Sequence, residues 1–229
     1  MSLSLKLLLL ALFVFCMILM GSNLKKRRKK ILFFGDSITE FGTRPGGYIS
    51  FISEFIRDAD LVEKVEIING GKAGDKVYDL SLRLQQDVLN REPKVVVLFI
   101  GVNDIWHKQK HGTGTSLQTF IEFYESLLHQ MQNAGIKMVA CTPAIIGESS
   151  TQNEYEWKEL SEYAAAIKQA ASHFDVPVVD LHAAFKNYYS EKNVENIDEG
   201  VLTTDGVHLN VAGNKLVAEE IWKLLKHFI

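Results

Sequence analysis

Short apolar runs alternate with longer amphipathic stretches along residues 31–229. Each run has four to six residues, is rich in β-branched side chains and ends in Gly, Asn, Thr-Pro or Asp. Runs that are apolar throughout, rather than at every second position, are typical of strands buried on both faces of a parallel sheet. The pattern predicts five such strands, at 31–34, 65–68, 95–100, 137–141 and 176–180.

The stretches between these runs carry apolar side chains at helical spacing. The apolar stripes lie within 77–88, 120–131, 160–171 and 216–225. Helices that connect parallel strands cover both faces of the sheet, so the prediction is an α/β protein, a three-layer α/β/α sandwich with a five-stranded parallel sheet. Ligands of such sheets bind at the carboxyl ends of the strands, and candidate chemistry is therefore sought there.

A different pattern precedes the first predicted strand. Residues 7–20 are fourteen uncharged apolar residues, and residues 25–30 are six consecutive Lys and Arg. A helix needs about 17–25 residues to span a bilayer, a length that only the longer stretch 1–24 reaches. We predict that 1–24 is an uncleaved membrane anchor with 25–30 as its basic flank, which favours the cytoplasmic side for the body without fixing it. The alternatives are a cleaved signal that leaves the body secreted or periplasmic, and a later start codon.

Charge is divided unevenly between these two parts. Residues 1–30 carry seven Lys and Arg and no acid, whereas residues 31–229 carry 18 basic and 28 acidic side chains, a charge of −10. A body of that sign repels phosphate backbones, which argues against nucleic-acid binding. The two cysteines, Cys16 and Cys141, are too few for a disulfide framework or a cysteine-rich zinc site. Residues 31–229 have the length of a single domain.

The first two predicted strands end in segments that each allow two interpretations. Ser37 and Glu40, in the segment GDSITE at 35–40, fit a capping box at a helix start. A serine on a strand-to-helix turn, with a free backbone N–H, can equally be a nucleophile. The glycines of NGGKAGD, at 69–75, indicate either a plain turn or a backbone N–H at Gly74 that points at an anion.

The third strand and the last helix contribute an amide and an imidazole. Asn103 follows the third strand in GVND, where it can form a turn or donate its amide to a developing oxyanion. His208 lies three residues after Asp205, and the six other histidines have no comparable partner in the sequence. A carboxylate at that spacing on a turn can hold the Nδ1 proton of the ring, which leaves Nε2 to take a proton from a serine.

Taken together, the segments GDSIT, NGGKAG, GVND and DGVH resemble the four sequence blocks of the SGNH (GDSL) hydrolase family, in that family's order. The resemblance covers essentially the whole body of the chain. It implies a flavodoxin-like fold and a serine ester hydrolase. In that family's scheme Ser37 would be the nucleophile, His208 the general base and Asp205 its orienter. Gly74, Asn103 and the backbone N–H of Ser37 would form the oxyanion hole.

No cofactor or metal is expected, because acyl transfer through serine needs neither and the sequence has no HExxH motif or Cys/His cluster. The G-x-S-x-G motif of α/β-hydrolases is not matched, since Thr39 occupies its last position. Two alternatives remain. One is an acyltransferase of the same fold, and the other is a non-catalytic binding module, in which Asp205 and His208 would have no purpose.

The substrate is expected to be a small-molecule, glycan or lipid ester. Candidate substrate-binding residues are Asp36, Trp106 and His107, and 44–47 are expected to border the pocket on another side. The polar segment 108–115 predicts a solvated, mobile loop. The resemblance favours short acyl groups, such as acetyl on a sugar or small alcohol. A lysophospholipase at the membrane is the alternative, suggested by the N-terminal segment alone, and the oligomeric state is left open.

Overall fold

Five parallel strands form the sheet at the centre of the protein. The computed structural model describes residues 28–229 and, before them, only positions 4, 6 and 13. The strands are β1 (Lys29–Gly35), β2 (Val65–Gly71), β3 (Val95–Phe99), β4 (Lys137–Cys141) and β5 (Val178–Val179). Their order across the sheet is β2-β1-β3-β4-β5, and every neighbouring pair is parallel. The predicted five-stranded parallel sheet is confirmed.

Helices cover both faces of this sheet. They are α1 (Ser37–Phe41), α2 (Tyr48–Asp58), α3 (Val77–Asp87), α4 (Val102–His111), α5 (Leu117–Asn133), α6 (Glu154–His173), α7 (Leu181–Lys192) and α8 (Val211–Leu225). Helix α2 packs against α8, while α3 packs against α5 and α5 against α6. Because right-handed crossovers in opposite directions place their helices on opposite faces, these two groups form the outer layers. The three-layer α/β/α sandwich is confirmed.

The apolar runs and stripes of the sequence form one continuous core. Residues 31–34 of β1 are completely buried, as are the neighbouring residues 96–98 of β3. The stripes of α3 and α5 turn their apolar faces inward, since Leu80, Leu84 and Leu127 are at most 1% exposed. Burial of apolar surface on both faces of the sheet stabilises the strands that carry the site.

Strand boundaries differ from the prediction in four strands, and β3 differs only in ending at Phe99 instead of residue 100. Strand β1 begins at Lys29 instead of residue 31, because the backbone of Lys29 and Lys30 already pairs with β2. The Lys29 ammonium also donates to the carbonyls of Phe228 and Ile229 at 2.5 and 3.1 Å. The last two residues of the basic run 25–30 therefore belong to the sheet. Strand β2 continues through its glycines to Gly71, and β5 has only two residues.

The segment 108–115 is not the loop that its polarity predicted. Its first four residues complete α4, and Gly112 ends the helix in a left-handed conformation. The Lys108 ammonium binds the Glu159 carboxylate and donates to the Tyr163 hydroxyl at 2.8 Å. These partners on α6 hold the end of α4 against the body.

The predicted anchor at 1–24 and residues 25–27 of its flank lie outside the described part of the chain, apart from positions 4, 6 and 13. Among the described residues, no helix combines the length and the apolar character needed to cross a bilayer.

Candidate active site

Ser37 lies at the start of α1, directly after β1 ends. The helix cap is Asp36, whose carboxylate accepts a hydrogen bond from the Ile38 N–H at 3.0 Å. The capping-box interpretation, with Ser37 as the cap, is therefore wrong. Glu40 instead accepts a hydrogen bond from the Ala73 N–H at 2.6 Å. Because a neighbour caps the helix, the Ser37 hydroxyl is left for other contacts.

The Ser37 hydroxyl lies against an imidazole that is itself held by a carboxylate. Its Oγ is 3.1 Å from His208 Nε2, and His208 Nδ1 is 2.7 Å from Asp205 Oδ2. The other Asp205 oxygen accepts hydrogen bonds from the backbone N–H groups of Val207 and His208, at 3.0 and 2.7 Å. A carboxylate accepts only, so Nδ1 carries the proton and Nε2 is the acceptor that faces Ser37.

The pKa of Asp205 fits this arrangement. Partial burial raises the pKa of its carboxyl, but hydrogen bonds from the His208 side chain, the His208 N–H and the Val207 N–H outweigh burial. The net pKa lies below the ordinary value of 3.8. Asp205 is therefore ionised at neutral pH, the state in which it accepts a proton from Nδ1.

Two other predicted residues, Gly74 and Asn103, supply N–H groups from the ends of β2 and β3. Gly74 has a positive φ of 80°, which a glycine adopts without strain, and its N–H makes no hydrogen bond to any described residue. Asn103 is 2% exposed, and its amide donates to the Asp75 carbonyl at 3.0 Å. That bond uses one of the two amide hydrogens, so the other stays available.

The segment that carries Gly74 is braced by two residues that sequence reasoning missed. Asp104 is fully buried, and its two oxygens lie 3.2 and 3.3 Å from the Val77 N–H at the start of α3. The Arg83 guanidinium binds Asp75 at 2.7 Å and the Gly35 carbonyl at 2.9 Å. For Arg83, the only indication in the sequence was its position beside the apolar stripe of α3.

The three predicted substrate-binding residues lie at different depths. The Trp106 ring meets His208 edge-on, with ring centroids 6.0 Å apart, so it borders the site. His107 is one ring further along, 5.8 Å from Trp106 and 5.1 Å from His111, and burial, Lys76 and His111 lower its pKa. Asp36 is 2% exposed and lies beneath the site as the helix cap, not on its surface.

A groove of about 500 Å³ lies beside the His208 imidazole. Residues 44–47 line one wall, and the other wall is formed within 204–214, which includes Asp205 and His208. Arg44 lies 3.8 Å above the ring of Phe41, which faces His208 at 6.2 Å. The expectation that 44–47 border the site agrees with this placement.

Burial, helped by the charges of Asp104 and Asp75, outweighs the hydrogen bond from the Ile38 N–H and raises the pKa of Asp36 from 3.8 to about 7. The pKa of Asp36 is higher in the folded state than in the unfolded chain. Its contribution to the free energy of unfolding is therefore fully present below about pH 4 and is lost as the pH rises through about 7. We expect Asp36→Asn, which keeps an oxygen for the Ile38 N–H, to gain stability over wild type across that window. One pKa unit corresponds to about 1.4 kcal/mol, so the gain is of order a few kcal/mol.

Thermal unfolding of both proteins between about pH 4 and pH 8 measures this gain as a growing difference in Tm. The difference isolates Asp36, because the other titrating groups are common to both proteins. A difference in Tm that does not change with pH would contradict the assignment.

Ser37, His208 and Asp205 form a hydrogen-bonded series at the carboxyl edge of a parallel sheet in a flavodoxin-like sandwich, an arrangement typical of serine hydrolases. The comparison with known proteins gives the family. The model of the GDSL-like lipase/acylhydrolase family matches residues 33–216, and the chain belongs to that family. The family resemblance drawn from the four sequence segments is confirmed.

Two relatives that span most of this chain are esterases by name. An acetylxylan esterase of Geobacillus stearothermophilus is 26% identical, over 83% of this chain and 90% of its own. The isoamyl acetate-hydrolyzing esterase of Saccharomyces cerevisiae is 27% identical, over 87% of each chain. The crystal structure of the acetyl xylan esterase AlAXEase superposes with a TM-score of 0.82 and 43% identity, over 85% of this chain and 98% of that one.

A solved structure of a catalytic Ser-to-Ala mutant of a Geobacillus stearothermophilus acetylxylan esterase is also similar. Its TM-score is 0.75 and its identity 25%, over 87% of this chain and 95% of that one.

Proposed function

We propose that the protein hydrolyses short-chain carboxylic esters through an acyl-enzyme on Ser37. The observation that carries this proposal is the unbroken hydrogen-bond chain from Ser37 Oγ through His208 to Asp205. Such a chain activates a hydroxyl that is otherwise a weak nucleophile at neutral pH. Esterase activity itself follows from the family, and the roles of individual residues are the part proposed.

The reaction proceeds in two halves. In the first, Ser37 Oγ attacks the ester carbon while His208 Nε2 takes the hydroxyl proton, and the imidazolium then returns that proton to the departing alcohol. In the second, His208 takes a proton from a water molecule as that water attacks the acyl-enzyme. The imidazolium then gives this proton to Ser37 Oγ, and the carboxylic acid leaves. Asp205 stabilises the imidazolium in both halves without being protonated itself.

The negative oxygen of each tetrahedral intermediate would be held by the N–H groups of Ser37 and Gly74 and by the amide of Asn103. All three belong to segments that the sheet and its braces fix in place, so they need no reorganisation when charge develops. In other acyl-transfer enzymes, removal of one such donor lowers kcat by about 10²- to 10³-fold.

Acetyl esters of a sugar or another hydrophilic alcohol are the proposed substrates. The relatives named above act on acetylxylan or isoamyl acetate, and both names describe acetyl esters. The groove beside His208 supports the same choice, because the residues that line it include the charged Arg44 and the aromatic Phe41. A mixture of polar groups and an aromatic face suits a hydroxyl-rich alcohol better than a long hydrocarbon chain.

The proposal includes residues 1–24 as a tether to a membrane. The chain enters the sheet at Lys29, the amino end of β1, whereas Ser37 follows the carboxyl end of the same strand. Seven residues of strand separate the two ends by about 20 Å. A tether at that edge leaves the candidate site at the opposite edge, which favours soluble substrates over lipids of the same membrane.

The test is hydrolysis of p-nitrophenyl esters from acetate to palmitate by the full chain in the membrane fraction. We expect kcat/KM to be highest for acetate or butyrate and to fall steeply with chain length, and we expect the enzyme to stay in the membrane after alkaline extraction. A preference for palmitate would replace the short-acyl proposal with a lipid substrate. Release of the enzyme from the membrane at alkaline pH would contradict the proposed tether. An acetylated xylooligosaccharide as a second substrate tests the sugar side.

A further inference from the structure

Glu148 is a buried carboxylate that the proposed mechanism does not use. It lies in the loop between β4 and α6, is 1% exposed, and has no Lys or Arg within ion-pair distance in the described chain. Burial of an ionised carboxylate is costly unless hydrogen bonds compensate for lost water. Its compensation comes from three consecutive backbone N–H groups, those of Val201, Leu202 and Thr203, at 2.6–2.7 Å.

These three residues precede the turn that carries Asp205 and His208. The Thr203 hydroxyl donates to Glu148 at 2.8 Å and accepts a hydrogen bond from the Gly206 N–H at 3.1 Å. Gly206 lies between Asp205 and His208 in the chain. A continuous hydrogen-bond path therefore runs from the buried carboxylate through one hydroxyl to the backbone of the turn.

The loop of Glu148 holds the same turn at a second point. The Gly147 N–H donates to the Gly206 carbonyl at 2.7 Å, and the Glu148 N–H donates to the Asp198 carbonyl at 2.8 Å. The catalytic side chains of the turn contribute less packing, since the Asp205 side chain is 48% exposed and that of His208 31% exposed. Hydrogen bonds from the Gly147 N–H and to the Thr203 hydroxyl therefore hold the turn at Gly206, beside the buried Val207 side chain.

We propose that Glu148 is a positioning residue for the candidate catalytic turn. Its carboxylate, through Thr203, fixes the turn at the depth where His208 Nε2 meets Ser37 Oγ at 3.1 Å. This inference rests on the proposed function, because it matters only if His208 is the base. Glu148 does not touch the reacting atoms, and its effect is on geometry.

Loss of the path is expected to lower kcat and leave KM unchanged. A catalytic group displaced by about 1 Å can cost about 10²-fold in rate. We expect Glu148→Ala and Thr203→Val to lower kcat on p-nitrophenyl acetate by about that factor, with KM within about threefold of wild type. Thr203→Ser keeps the hydroxyl and is expected to restore most of the rate.

Two further variants separate positioning from a general loss of structure. Glu148→Gln keeps an oxygen for Leu202 and Thr203 but places an amide N–H against the Val201 N–H, so an intermediate kcat is expected. Tyr189→Phe is the matched control. The Tyr189 hydroxyl, on α7, donates to the same Glu148 oxygen at 3.2 Å. Its removal leaves every hydrogen bond of the catalytic turn in place. We expect it to keep kcat within about twofold.

The assays are made at a temperature where circular dichroism shows each variant to be folded. If Glu148→Ala does not fold, the kcat values of Glu148→Gln, Thr203→Val and Thr203→Ser test the inference without it. Equal kcat in folded Thr203→Val and Thr203→Ser, a rise in KM alone, or an equal loss in Tyr189→Phe would each overturn the inference while Ser37→Ala remained inactive. Full activity of Ser37→Ala would instead remove the proposed function.

Discussion

Ser37→Ala is expected to abolish nearly all ester hydrolysis, with a fall in kcat of about 10⁴- to 10⁶-fold. The hydroxyl is the only group 3.1 Å from His208 Nε2 in the described structure that can attack an acyl carbon. Ser37 is 6% exposed, and loss of its hydroxyl leaves the Asp36 helix cap and the core intact. The loss should therefore appear in kcat for p-nitrophenyl acetate, with an unchanged Tm.

His208→Ala is expected to cost about as much, and the double variant no more than either single one. Nucleophile and base act as one unit, so their effects on kcat do not add. Additive losses would contradict a shared step and would indicate two independent roles.

The fold offers a matched control for these variants. Ser161 Oγ lies 2.9 Å from His182 Nε2, which is a second serine–histidine contact. The Nδ1 atom of His182 faces the Ala144 carbonyl instead of a carboxylate, and the imidazole is 5% exposed. The hydrogen-bond partners of this imidazole, Ser161 and the Ala144 carbonyl, carry no charge, and burial lowers the pKa of the ring, so Ser161→Ala should keep kcat within about twofold. A large loss in Ser161→Ala would mean that serine removal acts through the structure.

The sheet could be predicted from the sequence because its central strands β1 and β3 contain apolar runs that are buried on both faces, at 31–34 and 95–99. The ends of the strands could not be predicted in the same way. Gly70 and Gly71 favour a turn, but they pair with Phe34 and Gly35 of β1. A Cβ at Gly71 would lie 2.1 Å from the Glu40 nitrogen, so this glycine allows the close approach of β2 to α1.

Long-range partners explain why the end of α4 was predicted as a loop. The polar residues 108–111 have no apolar stripe of their own, and the partners of Lys108 are Glu159 and Tyr163, about fifty positions away in the chain. Local periodicity contains no information about such contacts. A helix end held by side chains of another helix is therefore missed by pattern alone.

The candidate site divides along the same line. Ser37, Asp205 and His208 could be found because each belongs to a short local motif, and the motifs occur in a family's order. The residue that caps α1 could not be found, since Asp36 and Ser37 are both good caps and only the backbone conformation decides between them. Arg83 and Glu148 were missed because they act on segments 48 and 53–55 positions away.

Asp205→Asn is expected to be more damaging than Asp205→Ala, with a fall in kcat of about 10³- to 10⁴-fold at neutral pH. The cause lies in the two oxygens of Asp205. Oδ1 accepts the N–H groups of Val207 and His208, and Oδ2 faces His208 Nδ1 at 2.7 Å. An asparagine side chain has one oxygen, and that oxygen would accept the hydrogen bonds from the N–H groups of Val207 and His208. Its amide nitrogen is then placed against Nδ1.

An amide nitrogen donates a proton, so Nδ1 must become the acceptor and the ring proton moves to Nε2. A protonated Nε2 cannot take the proton of Ser37. Alanine loses the charge but leaves the ring free to adopt either tautomer, which is why its loss should be smaller. Steady-state kinetics on p-nitrophenyl acetate gives the order, with both variants checked for an unchanged Tm. If Asp205→Ala were the slower variant, Asp205 would act mainly through its charge, and the tautomer argument would be wrong.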